Sequence, residues 1–92
     1  MFIGYIKIGI FIPHSQSLKD RRRVVNRIKQ RIKYNFNVSV AEKPSDKWQI
    51  CELCFVCVNY TKKCVNQIIQ KIEESILLNN DIQIIDSERE VI

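Results

Sequence analysis

Eight basic side chains crowd into residues 19 to 33 of this 92-residue chain: Lys19, Arg21, Arg22, Arg23, Arg27, Lys29, Arg31 and Lys33. Asp20 is the one acid among them, so the segment carries +7 while the rest of the chain sums to −2. Guanidinium groups grip phosphate oxygens in pairs and ammonium groups act as point charges, so the chemistry this run offers is anion binding, above all to a nucleic-acid backbone. The eight residues are therefore the candidate nucleic-acid-binding set. The competing reading is a solvated charged face. The opposite charge collects at the other end, where residues 73 to 92 hold six acids and one base, Arg89.

Cys51, Cys54, Cys57 and Cys64 have the sequence spacing of metal ligands. On a strand, however, side chains alternate, so Cys54 faces away from Cys51 and Cys57 and the set cannot converge on one tetrahedral ion. No metal and no cofactor is expected; the cysteines read as reduced, small, apolar residues. His14 has no acid or cysteine beside it in the sequence with which to form a catalytic set, and no catalytic residue is assigned.

These groups need elements to position them. Phe2 to Ile12 alternates, with Ile6, Ile8, Ile10 and Ile12 on one side and Tyr5, Lys7, Gly9 and Phe11 on the other, which predicts a first strand. Pro13 ends it. Ser17 is a natural N-cap, with Asp20 completing a capping-box spacing, and Leu18, Val25, Ile28, Ile32 and Phe36 recur at helical spacing. The basic run thus lies on an amphipathic helix, with Lys19, Arg23, Asn26, Arg27, Gln30 and Tyr34 opposite the apolar arc. Cations in its first turns oppose the helix dipole. Together with the hydroxyls of Ser15 and Ser17, they predict a phosphate site at the helix start.

A second strand is predicted over residues 36 to 42 and a turn over 43 to 47. The third strand, Ile50 to Asn59, turns Cys51, Leu53, Phe55 and Cys57 to one face and Glu52, Cys54, Val56 and Val58 to the more exposed one. Thr61 caps a second helix marked by Val65, Ile68, Ile69, Ile72 and Ile76. The fourth strand runs from Ile82 to about Glu90, with a bulge at the Ile84–Ile85 doublet.

The order β-α-β-β-α-β is that of the ferredoxin-like class of α+β folds: a four-stranded antiparallel sheet with two helices on one face, here as a single domain over residues 1 to 92. The other sheet face is left open and should present Tyr5, Lys7, Phe11, Asn37, Ser39, Glu52, Cys54 and Val56. Tyr5 and Phe11 flanking Lys7 suggest a base-stacking platform, but the RNA-recognition consensus is missing from the third strand, and a dimer interface is the stronger alternative. Trp48, at the start of the third strand, reads as a partly buried clamp over the hairpin, with an interface anchor as the alternative.

Two Gly and two Pro exclude collagen-like and linker sequence, and the length excludes a two-domain enzyme. Neither a membrane-spanning run nor a secretory signal is legible, so a cytoplasmic protein without a membrane partner is expected.

Ile12-Pro13 with Ser15, then Ser17-Leu18-Lys19 running into basic residues and Val24-Val25, form a recognisable combination. It continues in residues 36 to 42, Phe-Asn-Val-Ser-Val-Ala-Glu, in Trp48-Gln49 and in Glu88-Arg89-Glu90-Val91. Over nearly its whole length the chain resembles the YlxP-like family of small bacterial proteins of unknown function. That resemblance implies a ferredoxin-like fold and a cytoplasmic protein encoded among translation-initiation and ribosome-maturation genes; it implies no activity. The expected function is a non-enzymatic domain that binds RNA or a ribosomal particle through the basic helix. The alternative is a structural or regulatory homodimer pairing through the open sheets. An acylphosphatase-like hydrolase ranks third, because the loop after the first strand has Pro13 and no glycine to cradle an anion.

Overall fold

A computed structural model describes residues 1–92. The elements are β1 (Phe2–Phe11), α1 (Leu18–Asn35), β2 (Ser39–Glu42), β3 (Ile50–Asn59), α2 (Lys62–Leu77) and β4 (Gln83–Val91). The sheet order is β2-β3-β1-β4 and every pairing is antiparallel, which is the ferredoxin-like arrangement with both crossover helices on one face.

The period-2 pattern of the strands and the helical pattern of α1 and α2 meet in one core. Ile6, Ile8, Ile10 and Ile12 pack with Cys51, Leu53, Phe55 and Cys57 beneath Val25, Ile28 and Ile32 of α1 and Val65, Ile69, Ile72 and Ile76 of α2. Gly4 is what lets α2 settle: a Cβ there would lie 2.2 Å from Val65 Cγ1 and 2.8 Å from Ile69 Cδ1.

β2 is shorter than its sequence pattern suggests. The Phe36 amide donates to Ile32 O and so closes α1, leaving the alternating Phe36, Asn37 and Val38 in the connection rather than the ladder. The doublet in β4 behaves as expected, with the β1–β4 register slipping between Gly9 and Ile10 so that Ile85 is the extra residue.

Candidate nucleic-acid interface

The helix start carries its own cap. Ser17 Oγ accepts from the Asp20 amide at 3.0 Å, Asp20 Oδ2 accepts in return from the Gln16 amide at 3.0 Å, and the buried Ser15 hydroxyl donates to Ser17 O. The Ser15 hydroxyl is therefore spent on Ser17 O and Ser17 Oγ is engaged as the cap acceptor, and the Asp20 carboxylate sits where an anion would go. The cleft of about 270 Å³ beside this turn has Asp81 and Asp20 in its wall along with His14 and Arg23, which further disfavours an anion. The predicted phosphate site at the helix start is not formed.

The eight basic residues divide into two groups. Arg21 is withdrawn from the candidate set: it is 5% exposed and is used to hold the β2–β3 connection onto α1. Its Nη1 donates to Lys47 O at 2.6 Å and Ser45 O at 3.0 Å, and its Nη2 meets Glu42 at 3.4 Å. At 100° per residue, position 21 falls between Val25 and Ile28 on the apolar arc, and that placement was the available sign that it turns inward. Lys29 joins the same carboxylate at 3.0 Å, and Arg27 pairs with Asp81 at 2.7 Å. Arg27 pulls the Asp81 carboxyl below its ordinary range by direct hydrogen bonding. Lys19, Arg22, Arg23, Arg31 and Lys33 are exposed and form no salt bridge.

The open sheet face has another character. Tyr5, Lys7 and Phe11 do stand on it, in rows that run across the strands as Ser39, Val56, Tyr5 and Glu90, and then Ala41, Cys54, Lys7 and Glu88. Asn37 lies just outside the ladder, in a groove with Ile3, Ser39, Val56 and Val58. Tyr5 donates its hydroxyl to Glu90 at 3.2 Å, and Lys7 pairs with Glu88 at 3.5 Å. The bond to Glu90 raises the Tyr5 pKa, and attraction to Glu88 raises that of Lys7. Asp86, Glu88 and Glu90 make the β4 side acidic, while Lys43 and Lys47 reach the opposite end beside Glu52 and Ile50. Phosphates would meet those carboxylates before they reached Tyr5.

Trp48 is only partly buried at the entrance to β3. It is 55% exposed and lines a cleft of about 410 Å³ with Phe11, Lys47, Gln49 and Ile50. All four cysteines are free. Cys51 and Cys57 are buried on the helix side, whereas Cys54 faces the open side. Burial, reinforced by Glu42 nearby, pushes the Cys51 thiol up to about 11.

Two solved structures are similar in fold. The de novo designed protein Foldit4 shares 17% identity, with 98% of this chain and 96% of that chain covered at a TM-score of 0.55. A second de novo designed protein, with ferredoxin fold and determined by solution NMR, shares 17% identity, with 99% and 85% covered at a TM-score of 0.59. At that identity the likeness is one of fold alone. No curated protein matches. A family model described as "Protein of unknown function (DUF503)" matches residues 3–89, nearly the entire chain, and the protein belongs to that family.

Proposed function

We propose that this protein is a non-enzymatic, cytoplasmic domain that binds RNA or a ribosomal particle through the outward face of α1. The observation that carries the reading is the set of five exposed cations on that helix, Lys19, Arg22, Arg23, Arg31 and Lys33, none of them matched by a carboxylate of the chain. Like charges one turn apart destabilise a helix by about 0.2–0.5 kcal/mol per pair, and Lys19 with Arg23 is such a pair. A phosphate backbone relieves that repulsion. The translational association comes from the YlxP-like resemblance rather than from geometry. No helix is long and apolar enough to cross a membrane, in keeping with a partner met in solution.

The test is sedimentation of a cell lysate through a sucrose gradient at low and high salt. Co-migration with ribosomal particles at low salt, lost at high salt, is the expected result; migration at the top of the gradient in both contradicts the proposal.

A second reading has its own observation. Ile3, Val56 and Val58 are 40%, 37% and 52% exposed on the open face, which suits a homodimer pairing through its sheets. Its cost depends on the axis: a two-fold perpendicular to the strands opposes two acidic β4 borders, whereas one parallel to them lays each β4 over the partner's β2 side. Light scattering separates the readings, since an apolar dimer keeps its mass when salt is raised.

A further inference from the structure

The outward surface of α1 has two charged flanks and an uncharged stretch along its crest. At 100° per residue Arg22, Lys29 and Lys33 fall on one flank, from which Lys29 reaches Glu42 of β2. Arg23, Arg27 and Arg31 fall on the other, from which Arg27 reaches Asp81 between α2 and β4. Between the flanks lie Lys19 and, further along, Asn26 and Gln30, four residues apart. Both amide side chains are exposed, and neither is hydrogen-bonded to the chain.

We propose that α1 reads double-helical RNA, with Asn26 and Gln30 set into the shallow minor groove against 2′-hydroxyls. Arg22 and Lys33 on one flank, and Arg23 and Arg31 on the other, then reach the phosphates of the two strands. The inference rests on the RNA-binding reading above and adds the form of RNA. A primary amide both donates and accepts, as a 2′-hydroxyl does, so the crest matches what the wide A-form minor groove displays. A helix about 10–12 Å across does not fit the roughly 6 Å minor groove of B-DNA. It does fit the major groove of B-DNA, where the same amides can pair with adenine, so the choice of RNA rests on the reading above and the DNA duplex is the competing probe. Single-stranded RNA is read by stacking on aromatic rings. The outward surface of α1 has one exposed ring, Tyr34, one turn beyond Gln30, and a single ring is no platform for successive bases; Tyr5 on the sheet is engaged by Glu90 and Glu88.

The experiment measures fluorescence anisotropy with three labelled probes: a 20-base-pair RNA duplex, a DNA duplex of the same sequence, and one RNA strand alone. Wild type is compared with an Asn26→Ala/Gln30→Ala double variant, whose exposed positions leave the core unchanged. The expected result is RNA duplex bound about tenfold more tightly than DNA duplex. The double variant should lose most of that preference, at roughly 2- to 10-fold per hydrogen bond, while its DNA affinity and its salt dependence stay as in wild type. Equal affinity for the two duplexes, tighter binding of the single strand, or an undiminished preference in the double variant overturns this inference and leaves phosphate binding by α1 standing. No binding of any probe by wild type overturns both.

Discussion

Both the outward face of α1 and the open face of the sheet meet solvent, and both carry charge, yet they handle it in opposite ways. On the sheet, neighbouring strands place unlike partners side by side: Lys7 beside Glu88, and the Tyr5 hydroxyl beside Glu90. On the helix, like charges repeat one turn apart, and five of them find no partner in the chain. A charged surface that satisfies itself gains little from an external ion. One that cannot satisfy itself gains most, so the helix is the better candidate for an anionic partner even though the sheet offers more apolar area.

The largest expected effect separates Arg21 from its neighbours. Arg21→Ala removes the buried link to Ser45, Lys47 and Glu42 and should cost about 3 kcal/mol in denaturant unfolding, whereas Arg22→Ala should stay within about 0.5 kcal/mol. Similar losses in the two variants would show that the charged face and the buried link had been divided wrongly.

The two sheet faces can be compared through their glycines. Gly4→Ala forces a methyl group into Val65 and Ile69 and should destabilise by about 2 kcal/mol. Gly9→Ala on the open side meets Asp86 Cβ and Ile85 Cγ1 at 3.4 Å, a contact that small shifts of exposed side chains relieve, and should change stability by less than about 0.5 kcal/mol. Thermal unfolding of the pair reads the difference directly, and a reversed order would contradict the assignment of faces.

Cys51 adds a pH signature to the covered side. Its thiol is held up at about 11 in the folded chain against 9.0 unfolded, so the native state keeps a proton that the unfolded state gives up. That contribution to stability is complete below pH 9 and is lost as pH rises from 9 through 11. The wild type should therefore lose about 2 kcal/mol more than Cys51→Ala over that range. Parallel curves for the two proteins would contradict the protonated, buried thiol.

The smallest effect belongs to the open face. Neutralising its border with Glu88→Gln/Glu90→Gln should leave RNA affinity within about threefold of wild type, on the side of tighter binding, because it removes distant repulsion and no contact. A large loss of affinity would place the RNA on the sheet and reverse the comparison.

Much of this molecule is legible in the sequence because its patterns are strict. The isoleucines at 6, 8, 10 and 12 and the alternation through β3 fix which side is covered, and the doublet at 84 and 85 marks the bulge. The start of β2 was not legible, since Phe36 and Val38 alternate as strand residues do. Only the backbone bond from Phe36 to Ile32 assigns the first of them to the helix cap. The candidate site was half legible. Density of charge on α1 can be counted, but which cations remain unmatched depends on Glu42 and Asp81, residues distant in sequence that the fold brings against Lys29, Arg21 and Arg27. The hydroxyls at 15 and 17 looked like phosphate ligands because serine serves equally as a ligand and as a cap. Asp20 decides for the cap.

The most direct test of the account is the salt dependence of RNA-duplex binding by wild type and by a triple reversal, Arg22→Glu/Arg23→Glu/Arg31→Glu. None of the three is in the core or in a salt bridge, so the variant should fold. With the four flank cations Arg22, Arg23, Arg31 and Lys33 on phosphates, the slope of log affinity against log salt should be about −4 for wild type and shallower by about 2 to 3 for the variant, with affinity reduced at every salt concentration. A folded triple variant that keeps the wild-type affinity and slope would contradict the claim that α1 is the nucleic-acid interface.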